Sequence, residues 1–161
     1  MAPHGTSLQD KLRVAGLRVT GPRLAVLTAV QGHGQHREVI DIVEAARERL
    51  GTLSTQSVYD NLTVLEEAGL VRRIQIPGQS ARYEARVGDN HHHIVCRKCG
   101  ITHDVDCAAG FAPCITPSEA HGFVIDEAEV VYWGICPACA QANNSESTQV
   151  IVIEQQHHIQ Q

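Results

Sequence analysis

Residues 54–84 read STQSVYDNLTVLEEAGLVRRIQIPGQSARYE, and this stretch decides the fold. Ser54 is a natural helix N-cap, Val58, Leu62 and Leu65 fall on one helical face, and Gly69 is a natural C-terminal stop. A helix over residues 54–68 is expected. Residues 70–76 then alternate, Pro77-Gly78-Gln79 turns the chain, and Ala81-Arg82-Tyr83-Glu84 returns as the second arm of a β-hairpin. Upstream, Leu8, Leu12 and Leu17 suggest an opening helix that stops near Gly16. Thr20 caps a second, with Pro22 in its first turn and Leu24, Val26, Leu27 and Val30 behind, ended by Gly32 and Gly34. Glu38 to Leu50 carries Val39, Ile42, Val43, Ala46 and Leu50 at helical spacing and is closed by Gly51. Helices followed by a hairpin make a winged helix-turn-helix, with the helix from Ser54 entering the major groove and the Pro77-Gly78 hairpin as the wing. Gln56, Ser57 and Tyr59 sit near the start of that helix, within reach of bases and phosphates. Arg72, Arg73 and Arg82 flank the wing and face the backbone.

The charge of the chain first points away from DNA. It is -5 over 161 residues, with 43% apolar and 19% charged residues, as in ordinary globular proteins. The average conceals a division. Residues 1–86 hold 11 Lys/Arg against 9 Asp/Glu, a balance of +2, and contain no Cys; residues 87–161 hold 2 against 9, a balance of -7, with all six Cys. The turn-rich Val87-Gly88-Asp89-Asn90 marks the break. The expected organisation is a winged-helix DNA-binding domain over 1–86, a second, cysteine-rich domain over 87–141 and a flexible polar tail over 142–161. The fold class is α+β, with the winged helix-turn-helix at the N-terminus. A balance of +2 is a weak electrostatic footprint, and dimerisation would double the phosphate contacts. No run approaches 18 apolar residues, and the opening MAPHGTSLQDKLRVAG lacks the continuous apolar core of a secretory leader. A cytoplasmic protein without membrane contact is expected.

In a reducing compartment, spaced cysteine pairs point to metal or redox chemistry rather than a disulfide scaffold. Cys96-Arg97-Lys98-Cys99 and Cys136-Pro137-Ala138-Cys139 supply four thiolates, the donor set of a structural zinc. The long gap between the pairs requires a small subdomain between them. A redox dithiol would need only one CxxC, and no nucleophile–base pair or Gly-rich phosphate loop supports an enzyme. Just before the first pair runs His91-His92-His93. On an extended strand His91 and His93 share a face while His92 points away. Asp104 lies on the alternating stretch that follows Cys99. Two imidazoles and a carboxylate suit Fe(II), Mn(II) or Zn(II), as a regulatory metal distinct from the thiolate-held one.

The winged-helix pattern, SVYDNLTVLEEAGLV, RYE, HHHIVCRKCG and the later CPAC, in this order, resemble the ferric uptake regulator (Fur) superfamily of metal-dependent repressors, from about Leu8 to Cys139. The stretch from VGDNHHHIVCRKCG to DEAEVVYWG looks most like its actinobacterial, catalase-peroxidase-repressing branch, which is similar to the peroxide-sensing regulators. The resemblance implies a homodimer that binds double-stranded operator DNA through the domain over 1–86, with residues 87–141 forming a small α/β metal-binding dimerisation domain. It implies structural Zn(II) on Cys96, Cys99, Cys136 and Cys139, and regulatory Fe(II) or Mn(II) on His36, Glu84, His91, His93 and Asp104, with ligands drawn from both domains. In the resembled family, Asp at the position of Asp104 accompanies peroxide sensing, and Glu accompanies plain iron sensing. Peroxide is then the signal, with oxidation of His36 or His91 releasing the metal and the DNA, and catalase-type oxidative-stress genes the expected targets. Cys107 and Cys114 offer a rival thiol switch. The alternative is a plain iron, zinc or nickel uptake regulator.

Some residues depart from the pattern. Asp60 follows Tyr59 where the family usually has Arg, and an exposed acid there would repel phosphate. Phe111 and Ala128 occupy positions at which some relatives build a third metal site, leaving His121 as a lone candidate.

Overall fold

Side-chain caps and glycine stops set the ends of the helices. The computed structural model describes residues 7–31, 36–110, 113–126 and 128–142, and the chain divides into two compact units, Met1–Asp89 and Asn90–Gln161. The expected tail beyond residue 142, Phe111, Gly32 and Gly34 lie outside the described residues. The first unit runs α1 (Leu8–Val14), α2 (Gly21–Gln31), β1 (Arg37–Glu38), α3 (Val39–Leu50), α4 (Thr55–Glu67), β2 (Arg72–Ile74) and β3 (Arg82–Glu84). The second runs β4 (His91–Cys96), β5 (Thr102–Asp106) and β6 (Val131–Gly134), and residues 137–142 are helical. No helix among the described residues is long and apolar enough to cross a membrane.

The Ser54 hydroxyl accepts from the Ser57 backbone N–H at 3.1 Å and so caps α4. At the other end Gly69, at φ 66°, lets the Leu70 N–H return to the Leu65 carbonyl at 2.9 Å, closing the helix with a bond that a β-carbon would hinder. Val58, Leu62 and Leu65 of α4 are fully buried. They pack with Val26 and Val30 of α2, Ile42 and Val43 of α3, Leu12 of α1 and Tyr83 of β3 in one core.

The hairpin has a third strand. Beyond the β2–β3 pairing, β1 adds to the free side of β3, giving the antiparallel order β1-β3-β2. Two residues are too short to show an alternation, so this strand carries no sequence pattern. Its register sets Arg37 opposite Tyr83 and Glu38 opposite Arg82, with the Arg82 guanidinium 3.6 Å from the Glu38 carboxylate. The paired part of β2 is also shorter than the alternating stretch 70–76, whose Ile74 and Ile76 nevertheless face inward while Gln75 is exposed.

In the second unit, β4 is central, with order β5-β4-β6. It pairs antiparallel with β5, His91 opposite Asp106 and His93 opposite Asp104. It pairs parallel with β6, His93 beside Val131 and Cys96 beside Gly134. Strand β5 returns the chain to the end at which β4 begins, and the crossover between β5 and β6 passes that end of β4 to reach its other side.

Because Leu62 is fully buried and Ser54 caps from the surface, their truncations separate packing from capping. Leu62→Ala is expected to lower unfolding free energy by about 2–5 kcal/mol in urea, and Ser54→Ala by about 1 kcal/mol. A Leu62→Ala cost no larger than that of Ser54→Ala would refute this core.

Candidate metal centres

Parallel pairing of β4 with β6 carries both CxxC motifs to the same end of the sheet. The Arg97 N–H donates to the Gly134 carbonyl at 2.8 Å and the Cys136 N–H to Cys96 Sγ at 3.3 Å. As a result the sulfurs of Cys96, Cys99, Cys136 and Cys139 all lie within 4.8 Å of one another, with Cys99 and Cys136 at 3.7 Å. Tetrahedral zinc–thiolate bonds would set the sulfurs about 3.8 Å apart, so the spacing fits. Backbone N–H groups of Cys136 and Cys99 aimed at Cys96 lower its pKa to about 6. Cys139 is pushed up to about 12, chiefly by its hydrogen bonds with the Cys136 and Cys99 sulfurs. One thiolate therefore forms readily while the last resists, and a dication is what allows all four to ionise. None of the six cysteines is in a disulfide.

Imidazole–carboxylate pairs form within each unit. In the first, the β1–β3 register continued by one residue sets His36 against Glu84, and His36 Nε2 lies 3.2 Å from Glu84 Oε2 with both side chains buried. His36 holds φ 70°, in the left-handed region that non-glycine residues seldom adopt. In the second unit, His93 Nε2 is 3.9 Å from Asp104 Oδ1 across the β4–β5 pair, and the His91 and His93 rings stand 5.1 Å apart on the same face of β4. His92, on the opposite face, meets Cys114, and Cys107 lies in the same group. Its position between two ligand candidates gave no signal of this partner, because Cys114 is brought there by the crossover. His121 is exposed and lies 3.4 Å from Glu119, while Ala128 is half-buried.

The residues expected to touch DNA all belong to the first unit. Gln56 and Tyr59 are exposed on the first turns of α4, and Ser57 is half-buried with its N–H on the cap. The Gln56 amide donates to the Asp60 carboxylate at 2.8 Å, so the unexpected acid is engaged along its own helix face. Arg73 is exposed and donates to Gln75 Oε1 at 3.3 Å; Arg72 is half-buried opposite Glu84. No acidic residue lies in the first turn of α4, which leaves the positive end of the helix dipole for an anion.

The sequence model of the Ferric uptake regulator family matches residues 14–133. The transcriptional regulator FurA of Mycobacterium tuberculosis is 57% identical over 138 residues, covering 86% of this chain and 93% of that protein. Ferric uptake regulation protein 1 of Mycolicibacterium fortuitum is 57% identical over 129 residues, 80% of each chain. The crystal structure of the Campylobacter jejuni peroxide stress regulator superposes with a TM-score of 0.60 at 25% identity, covering 83% of this chain and 99% of that one.

Removing one sulfur should break the four-thiol cluster. Elemental analysis is expected to find tightly held zinc in the wild type and none in Cys136→Ser, whose Tm should also be lower, because the binding free energy of a structural cation is folding free energy. Acidification should release the same zinc as protons compete for the thiolates. An unchanged zinc content in Cys136→Ser would exclude the cluster as its holder.

Proposed function

The chain belongs to the ferric uptake regulator family and is a transcriptional regulator rather than an enzyme, and on that premise we propose that it is a peroxide-responsive repressor of catalase-type genes, binding operator DNA as a homodimer. The observation that carries the peroxide reading is Asp104, set directly opposite His93 in the β4–β5 pair. The likeness to the Campylobacter jejuni peroxide stress regulator supports it.

Residues 1–86 are proposed to read DNA and residues 87–141 to dimerise and hold metal. Cys96, Cys99, Cys136 and Cys139 would hold structural Zn(II), a closed site that ties the CxxC turn after β4 to the end of β6. His36 and Glu84 from the first domain, with His91, His93 and Asp104 from the second, would hold Fe(II) or Mn(II), as imidazole and carboxylate donors favour. When bound, Fe(II) supplies the electrons that reduce peroxide. The protein's own part is to hold the ligands in register. His36 Nε2 faces Glu84 Oε2 at 3.2 Å and His93 Nε2 faces Asp104 Oδ1 at 3.9 Å, so each pair presents an imidazole nitrogen and a carboxylate oxygen side by side. Ligands shared between two domains would make cation binding select one arrangement of the DNA readers, so that losing one imidazole lowers DNA affinity.

Exposed apolar residues on the second unit support a partner copy. Ile94 and Tyr132 are register neighbours on β4 and β6, 43% and 48% exposed, and Ile101 and Ile135 are similarly open. The name of the Mycolicibacterium fortuitum relative favours the second reading, a plain iron (or zinc or nickel) uptake regulator without a specific peroxide response.

Binding to DNA fragments enriched by the Mn(II)-loaded protein separates the two. Under peroxide, the Fe(II)-loaded protein is expected to release DNA and gain one oxygen on His36 or His91 by mass spectrometry, while the Mn(II)-loaded protein stays bound. Equal release of both forms, or retention of both, would refute ligand oxidation. Arg73→Ala is expected to weaken binding to all fragments alike and to reduce the salt slope by about one; a change confined to one sequence would assign Arg73 to base contact instead.

A further inference from the structure

Alternation along β4 gives it a second donor face. Opposite His91 and His93 stands His92, 3% exposed, with its Nε2 3.2 Å from Cys114 Sγ. Cys107 Sγ completes a group of three donor atoms that all lie within 4.8 Å of one another. The three arrive by different routes. His92 is the second residue of the central strand. Cys107 directly follows β5, where its N–H donates to the Asn90 carbonyl at 3.3 Å. Cys114 lies in the crossover, beyond a turn closed by the Gly110 N–H on the Cys107 carbonyl at 3.2 Å.

Packing alone does not account for this group. The His92 ring is buried, its Nδ1 has no hydrogen-bond partner among the described residues, and its other neighbour is the edge of the Tyr132 ring, centroid to centroid 6.4 Å. Leaving a buried ring nitrogen unsatisfied costs about 1–3 kcal/mol, which an apolar side chain on this face would not incur. An imidazole turned toward two thiols forms instead a three-donor set of mixed sulfur and nitrogen.

We propose that His92, Cys107 and Cys114 form a further cation site that takes one Zn(II) through the imidazole and two thiolates, with the fourth position left to water. Two sulfurs and a nitrogen select a borderline-soft, tetrahedral cation, and a Cys2His set with one open position is a known zinc arrangement. The same preference separates this site from the imidazole–carboxylate donors on the other face of β4, which favour Fe(II) or Mn(II). It shares no residue with the four-thiol cluster. Three protein ligands against four make it the more exchangeable of the two sulfur sites, and the proposal stands apart from the peroxide reading.

The test is cysteine alkylation by iodoacetamide in the reduced, full-length protein, mapped peptide by peptide with and without added Zn(II). In the wild type, Zn(II) is expected to slow alkylation of Cys107 and Cys114 together. His92→Ala should abolish that protection while Cys96, Cys99, Cys136 and Cys139 stay protected, which shows that the second unit is still folded. Removing a direct ligand should weaken binding by more than the roughly 10–100-fold loss that follows removal of a supporting outer-shell partner. Co(II) used in place of Zn(II) should give a thiolate charge-transfer band that is stronger in the wild type than in Cys114→Ser. Unchanged alkylation of Cys107 and Cys114 on adding Zn(II), or equal protection in His92→Ala, would overturn the site. So would a Cys107–Cys114 disulfide formed in air by a protein whose reduced form takes up no Zn(II) at these thiols.

Discussion

Parallel pairing between β4 and β6 is the constraint on which the chemistry of the second unit rests. Residues far apart in the chain reach the same end of the sheet only because the two strands run the same way, placing Cys96 beside Gly134 and Cys136 two residues further on. An antiparallel β6 would send the CPAC motif to the opposite end. The connection that carries the chain from β5 past the end of β4 to β6 also delivers Cys114 to His92. One topological requirement thereby builds both sulfur-containing donor groups, and β4 serves three sets of donors from six residues: Cys96 at its end, His91 and His93 on one face, His92 on the other.

In the first unit the corresponding constraint is the register of two short strands. Adding Arg37–Glu38 to β3 sets His36 against Glu84 and buries both side chains, with the His36 backbone held left-handed. A buried carboxylate is costly unless paired, and the His36 ring nitrogen lies 3.2 Å from this one. The helical core built on Leu62, Ile42 and Val26 includes Tyr83 of β3, the residue next to Glu84. The same scaffold leaves the start of α4 exposed, where Gln56 and Asp60 engage each other.

Donor chemistry sorts the candidate centres more sharply than position does. Four thiolates make a closed site for a thiophilic dication, imidazole with carboxylate suits Fe(II) or Mn(II), and the mixed set at His92 lies between them. The uneven Cys96 and Cys139 thiols express the first of these electrostatically, since four neighbouring sulfurs cannot all carry charge without a cation among them. The acidity of residues 87–161 accords with cation binding, and the +2 of residues 1–86 is a weak electrostatic footprint by itself.

The sequence by itself determined what short-range physics dictates. The cap at Ser54, the stop at Gly69, the helical spacing of Val58, Leu62 and Leu65, and the two faces of the His91–His93 run are all properties of a few neighbouring residues. The CxxC pairs were legible for the same reason, as each is a local turn with two sulfurs. Tertiary structure decided what depends on strand order and direction. A two-residue β1 has no periodicity to read, and its pairing exists only because β3 offers a free edge. Nor does any local pattern say that β6 runs parallel to β4, or that the crossover brings Cys114 back to His92. Such contacts join residues tens of positions apart, and only the closed sheet fixes which side chains then share a face.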